Sequence, residues 1–287
     1  NTKYFIMIEK VTLGSDPELF LQNEQELISA EGLIGGTKEN PKEVSGLPGF
    51  FIQEDNVMVE FNIPASDNEL TFKDNIGMML DYVETAALIH DYKISEQASG
   101  EFNRRFLNTP QASAFGCDPD INVYTGQKNK VNVSNGNTLR TCGGHIHVGY
   151  ENPNKKMSAD LIKAMDITLG LTSLSLDKDD RRRELYGNAG SFRFKDYGVE
   201  YRTLSNFWIF KEETIAWAWQ GTMAAIGLVN SGIIKELKKE YSATIQNCID
   251  KNNKSLAKKL LVEINNYIKN KEVCVEYLDT QDAVLKK

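Results

Sequence analysis

The sequence predicts an α+β protein, with short strands through most of the chain up to Ser205 and helices after it. Two observations carry that prediction. Stretches with period-two alternation recur between glycine- and proline-rich turns, at residues 11–21, 55–63, 140–150 and 198–205. Beyond Lys211, apolar residues instead recur at helical spacing. With 287 residues, 41% of them hydrophobic, the chain has ample material for a core, and it reads as one unit over 1–287 with a helical part from about 211.

Residues 4–8 form a short apolar run, and residues 11–21 read as one strand. Its alternation puts Asp16 and Glu18 on one face, with Leu19 and Leu21 on the other. Residues 22–50 carry too many glycines and prolines for a long regular element. Lys38 and Lys42 lie there, and a glycine-rich loop with lysines can fold over phosphates, although no P-loop spacing is present. Residues 55–63 form a strand ended by Pro64, with Glu60 an acid among apolar neighbours. Phe72, Ile76, Met79 and Val83 mark a helix from about 71 to 95, Thr71 and Asp74 resembling a capping box and His90 lying near its end. Residues 114–124 are an acidic turn containing Asp118-Pro-Asp120, and 125–138 are a polar loop.

The centre of the pattern is Arg140-Thr-Cys-Gly-Gly-His-Ile-His-Val-Gly-Tyr150, which holds two of the three histidines. In a strand, His145 and His147 share one face while Ile146 and Val148 enter the apolar layer. Gly143, Gly144 and Gly149 leave room for a ligand or another backbone. Ser158 caps a helix running to Gly170. Arg181, Arg182, Arg183 and Arg193 then gather four guanidinium groups around a glycine-containing turn, in a chain whose net charge is −7. Guanidinium forks suit phosphate and carboxylate. The plain alternative is a solvated basic turn neutralised by Asp177, Asp179 and Asp180. In residues 198–205, Glu200 and Arg202 share one face and Val199 and Tyr201 the other. A helix from about 211 to 240 carries Trp217 and Trp219, and another spans 255–270.

A pI near 5.2 argues against general nucleic-acid binding without excluding a local cationic pocket. Cys117, Cys142, Cys248 and Cys274 are widely spaced, and no signal peptide is evident, so reduced thiols in a cytoplasm are expected. The apolar run 215–229 is interrupted by Gln220, Gly221 and Thr222 and reads as a buried helix, so no membrane partner is expected.

Four strands thus carry polar residues on one face: Asp16 with Glu18, Glu60, His145 with His147, and Glu200 with Arg202. Brought together, four carboxylates repel one another strongly unless cations offset them. Mg²⁺ or Mn²⁺ suits such oxygen-rich sites, whereas a structural zinc would want more cysteine at closer spacing. With arginines beside the metals, the pattern suggests ATP chemistry without a Walker loop. A metal-dependent hydrolase would leave the arginines without a role.

The segments 14–21, 143–149 and 198–202 resemble the acidic first strand, the histidine strand and the Glu-x-Arg strand of the glutamine synthetase and glutamate-cysteine ligase superfamily. More closely, the chain resembles the phage-type carboxylate-amine ligases (type 2), whose Arg-x-x-Tyr-Gly-x-x-Gly-x-x-Arg stretch reads here Arg183-Glu-Leu-Tyr-Gly-Asn-Ala-Gly-Ser-Phe-Arg193. The resemblance implies a curved, mainly antiparallel β-sheet funnel of glutamine synthetase catalytic-domain type, with helices packed on its outer face. It implies Asp16, Glu18, Glu60, His145 and Glu200 as metal ligands. His147, Arg183, Arg193 and Arg202 would bind nucleotide phosphates, the acyl-phosphate or the substrate carboxylate, and Arg193, Arg202 and Glu200 would carry catalysis. The implied reaction uses ATP to activate a carboxylate, which an amine then attacks to give an amide. Both substrates would be small molecules, amino acids or peptides, in the host cytoplasm if the chain is phage-encoded. Acids and a loop for ammonium are not found, which disfavours ammonia. Phosphotransfer on the same scaffold, or a non-catalytic virion-associated role, are the alternatives.

Overall fold

The computed structural model describes residues 7–113, 120–129 and 137–275, and its frame is a pair of antiparallel sheets joined where the first strand ends. The strands are β1 (Thr12–Ser15), β2 (Glu18–Gln22), β3 (Leu27–Ile28), β4 (Lys42–Glu43), β5 (Phe51–Asp55), β6 (Met58–Asn62) and β7 (Lys93–Ser95). They continue as β8 (Ser99–Glu101), β9 (Ile121–Asn122), β10 (Leu139–Thr141), β11 (Ile146–Gly149), β12 (Ser191–Lys195) and β13 (Gly198–Tyr201). The first sheet runs β1–β11–β13–β12–β9, and the second runs β3–β2–β6–β5–β4 with β7 beside β2. A further pair joins β8 to β10.

The single strand expected over residues 11–21 is two strands in two sheets. Pro17 has no N–H to give a ladder, and it restricts the residue before it, so pairing stops at Ser15 and resumes at Glu18. The segment at the end of β6 spans the junction: Phe61 N donates to Pro17 O (3.2 Å) and Ile63 N to Ser15 O (3.2 Å). Residues 51–54, which lie between the loop and the strand expected from 55, form with Asp55 the partner of β6 in a hairpin that turns at Asn56 with φ of 61°.

Helix α1 (Glu69–Leu88) starts earlier than expected, because Asn68 Oδ1 accepts from Thr71 N at 2.9 Å and is the cap. It also ends earlier, and residues 93–95 join the second sheet. After α2 (Pro110–Ser113), α3 (Lys155–Met165) is capped by Asn154 rather than Ser158, whose hydroxyl is buried against the Tyr150 hydroxyl at 2.7 Å. It passes through a π-helical turn, Asp166–Gly170, into α4 (Leu171–Leu176). The helix expected over 211–240 is two, α5 (Glu212–Asn230) and α6 (Ile234–Asp250), separated by the Ser231–Gly232 turn, and α7 (Lys254–Asn270) follows.

Helix α3 packs on β12 and β13, with α5 and α6 packed against α3. Leu13, Ile146, Val148, Phe192, Val199 and Tyr201 are fully or almost fully buried in the core. Burial of such side chains stabilises by ~1.5–3 kcal/mol each, and a one-residue slip would exchange the two faces. The apolar pattern therefore holds the polar face of the first sheet away from the core. No described helix is long and apolar enough to cross a membrane. Cys142 and Cys248 are buried free thiols and Cys274 an exposed one; Cys117 and residues 4–6 lie outside the described residues.

Candidate active site

The register of the first sheet lines up its polar residues. Gly14 pairs with His147, His147 with Glu200, and Glu200 with Arg193. Asp16, just past the end of β1, lies 3.1 Å from both His147 Nε2 and His145 Nδ1. The same His145 Nδ1 is 3.1 Å from Arg202 Nη1, so it donates to Asp16 when protonated and accepts from Arg202 when not. A Cβ on residue 143 would come 2.3 Å from His145 Nε2, so the glycine there makes room for the ring.

Glu200 is fully buried and ringed by cations. Arg202 Nη1 donates to its Oε1, Lys195 Nζ lies 2.8 Å from its Oε2, and Arg193 Nη1 is 3.8 Å from Oε1. Burial and the Asp16 charge push the Glu200 carboxyl up, but Arg202, His145 and His147 outweigh them and hold it down to about 2. Burial likewise opposes ionisation of Asp16, yet His147 and then His145 hold it well below the usual carboxylate range. His147 is raised: burial disfavours its charged form, and the Asp16 carboxylate more than compensates. Its Nδ1 meets the Tyr197 hydroxyl at 2.7 Å.

On the second sheet, Glu18 and Glu60 occupy directly opposed positions of β2 and β6, and Asp55 joins them from the end of β5. Like charges opposed across a ladder are destabilising. Burial, above all, pushes the Glu18 carboxyl up; Asp55 adds to this, while His145 and the Gly143 N–H, which Glu18 Oε2 accepts at 2.6 Å, pull the other way.

Among the described residues, two groups place ligand atoms within 4.8 Å of one another: Asp16 with His147 and Glu200, and Glu18 with Asp55 and Glu60. The donor sets fit a hard divalent cation, being carboxylates with a single imidazole. His147 Nε2 and Glu200 Oε2 are buried and lack a well-formed hydrogen bond despite their ion-pair contacts, which also fits ligand atoms awaiting a cation.

A cavity of ≈ 320 Å³ opens beside Glu18 and Asp55 and is bounded by Asp120, His145, Arg182 and Arg202. The residues read from the sequence distribute unequally around this centre. Asp16, Glu18, Glu60, His145, His147, Arg193, Glu200 and Arg202 converge, but on two sheets rather than on one surface. The ligand group beside Glu200 contains His147, with His145 behind it against Arg202. Arg183 stands 3.4 Å from Ser173 Oγ beside α4, while its neighbour Arg182 reaches the cavity. Lys42 is exposed on β4, and Lys38 is the lysine of that loop at the cavity wall. Arg181 is exposed and paired with Glu101.

Three residues of the centre were missed. Asp55 was hidden because its strand followed a glycine- and proline-rich stretch. Asp120, which takes Arg202 Nε at 2.5 Å, read as turn chemistry. Lys195 follows Arg193 at i+2 on one strand, and that alternation could have shown it.

A family model described as phage phiEco32-like COOH.NH2 ligase-type 2 matches residues 127–285, more than half of the chain. No curated protein matches the chain. Among the solved structures similar to the chain are two of GmaS. An apo GmaS structure without ligand has 12% identity and a TM-score of 0.40, the match covering 79% of this chain and 54% of that one. A GmaS/ADP complex has 11% identity and a TM-score of 0.40, covering 93% and 71%. The chain thus spans about half the length of the first of them.

Proposed function

Because the chain belongs to the phage phiEco32-like COOH.NH2 ligase-type 2 family, we propose that it joins a carboxylate to an amine at the expense of ATP. The observation that carries this reading is the ligand set Asp16, His147 and Glu200 lying directly beside Arg202, Lys195 and Arg193. Such a centre suits transfer of a phosphoryl group, whose charge needs both a divalent ion and guanidinium forks.

Asp16, His147 and Glu200 would hold one Mg²⁺ or Mn²⁺, and Glu18, Asp55 and Glu60 a second. Bound there, the ions supply neutralisation of the nucleotide phosphates and of the charge on the transferred group. Arg193, Lys195 and Arg202 contribute fixed positive charge on the same side of Glu200. Asp120 and Glu200 orient Arg202 through its Nε and Nη1, so that the guanidinium is held beside the ligand set. His145 accepts from Arg202 or donates to Asp16, and so couples the guanidinium to the ligand set.

In the reaction, a substrate carboxylate oxygen attacks the γ-phosphorus of ATP and the bond to ADP breaks. The amine nitrogen then attacks the acyl carbon of the acyl phosphate, phosphate leaves and the nitrogen loses a proton. An amino acid, polyamine or peptide amine is preferred over ammonia. Positioning of the two substrates supplies much of the acceleration.

The test is incubation with Mg-ATP, hydroxylamine and a panel of carboxylic acids, amino acids and short peptides, following ADP and hydroxamate together. Hydroxamate formed in step with ADP is the expected result. A stable phosphorylated product without hydroxamate would replace the ligase by a phosphotransferase.

A further inference from the structure

Arg182 is built into the cavity wall and makes no ion pair among the described residues, although Glu18, Asp177 and Asp120 act on it from a distance. It is 5% exposed, and no carboxylate lies within ion-pair distance of it among the described residues. Its Nη1 donates to Thr203 O at 3.0 Å and its Nη2 to Arg202 O at 3.4 Å, while its buried Nε has no hydrogen-bond partner. Arg202 differs, since Glu200 and Asp120 neutralise it. Arg140, also at the cavity, gives four hydrogen bonds to Asn56 Oδ1 and the carbonyls of Ala112, Asn137 and Leu139.

The placement of Arg182 is specified locally. Asp179 Oδ1 accepts from its backbone N at 2.8 Å and fixes the start of the turn. Gly187, with φ of 79°, passes so close that a Cβ there would lie 2.3 Å from Arg182 Nη1. A buried guanidinium held by carbonyls and facing a cavity is a site for an anion, because an unpaired buried charge is costly and a bound anion offsets that cost.

We propose that Arg182 anchors a carboxylate group of the acid substrate, which rests on the ligase reading above. The cavity favours a carboxylate over a phosphate chain. Its walls carry Glu39 and Glu54, outside the proposed ligand sets, which would repel a polyanion, whereas one carboxylate matches one guanidinium that makes no ion pair. Met58 and Leu139 on the same walls suit the aliphatic part of such a substrate. Of the phosphate-directed cations, Arg193 and Lys195 lie outside the cavity lining, around Glu200.

The experiment is NMR of the full chain labelled with ¹⁵N-arginine, titrated with glutarate, acetate and inorganic phosphate. The Arg182 Nε–H signal is assigned by its loss in Arg182→Lys. It should move saturably with both carboxylates and about tenfold more weakly with phosphate. Absence of movement with either carboxylate, or tighter binding of phosphate, overturns the proposal. Should Arg182→Lys fail to fold, phenylglyoxal mapping of the wild type serves instead. Glutarate should protect Arg182 and leave exposed Arg181 reactive, and equal reactivity of Arg182 with and without glutarate overturns the site. In the hydroxamate assay, Arg182→Lys should raise KM for the acid about tenfold and leave kcat within about threefold. A shift at Arg182 in a protein that forms no hydroxamate would leave the anion site standing and remove the ligase reading; hydroxamate formation with no shift would do the reverse.

Discussion

The two acidic clusters lie either side of Pro17, and burial pushes both central carboxyls up, yet their net shifts run in opposite directions. Glu200 is held down to about 2 because Arg202 and the histidines outweigh burial and the Asp16 charge. Glu18 is pushed up by burial, has no ion pair among the described residues, and faces Asp55 and Glu60. Glu200 carries its own counter-charge in direct ion pairs, whereas Glu18 makes none and meets His145 and Arg202 only at longer range. The difference follows from topology: β12 and β13 deliver Arg193, Lys195 and Arg202 to the first cluster, and the second lies on a different sheet.

The largest expected effect is on catalysis. Glu200→Gln should lower Mg²⁺-dependent ADP formation by about 10² or more while circular dichroism shows an intact fold, since both a ligand and the partner of Arg202 are lost. Activity within a few-fold of wild type would remove Glu200 from the site.

The comparison is then sharpened by stability without metal. Glu200→Gln should destabilise by ~3 kcal/mol, as Arg202 and Lys195 lose a buried partner. Glu18→Gln should instead stabilise by ~1 kcal/mol, because the amide keeps the Gly143 bond and removes the repulsion. Urea unfolding in EDTA reads both, and effects of the same sign would break the distinction drawn between the clusters.

A third expectation concerns Tyr197, whose hydroxyl meets His147 Nδ1 and so orients the ring for Nε2 to act as a ligand. Tyr197→Phe should weaken Mn²⁺ binding about tenfold by calorimetry with little change in stability; an unchanged affinity would leave the tyrosine without that role.

Beneath the first sheet, Asp166 offers a pH test away from both clusters. Burial raises its carboxyl to about 7, with the Tyr201 and Tyr124 hydroxyls opposing that rise by hydrogen bonding to it. The folded chain therefore keeps a proton that the unfolded chain releases near pH 4. Its contribution to stability is full below about pH 4 and declines as pH rises towards 7, at up to ~1.4 kcal/mol per pH unit. Asp166→Asn should flatten the dependence of unfolding free energy across that window, and an unaltered slope would place the proton elsewhere.

Most of the polar face was legible in the sequence, because strand alternation sorts Ile146 and Val148 from His145 and His147, and Val199 and Tyr201 from Glu200 and Arg202. What alternation could not give was the exchange of sheets at Pro17, since the apolar pattern runs on either side of it and only pairing partners distinguish the two strands. The caps at Asn68 and Asn154 were missed because serine and threonine nearby offered equivalent side-chain chemistry. The roles of adjacent Arg182 and Arg183 were not separable by spacing, as a short 3₁₀ turn sends one to the cavity and the other towards Ser173.

The central claim is that a carboxylate is activated by phosphoryl transfer from ATP before an amine captures it. It is tested most directly with the acid that the hydroxamate panel identifies, labelled with ¹⁸O in its carboxylate and converted to amide. Mass spectrometry of the released phosphate should find a labelled oxygen transferred for each amide formed. Unlabelled phosphate accompanying amide formation would contradict the account.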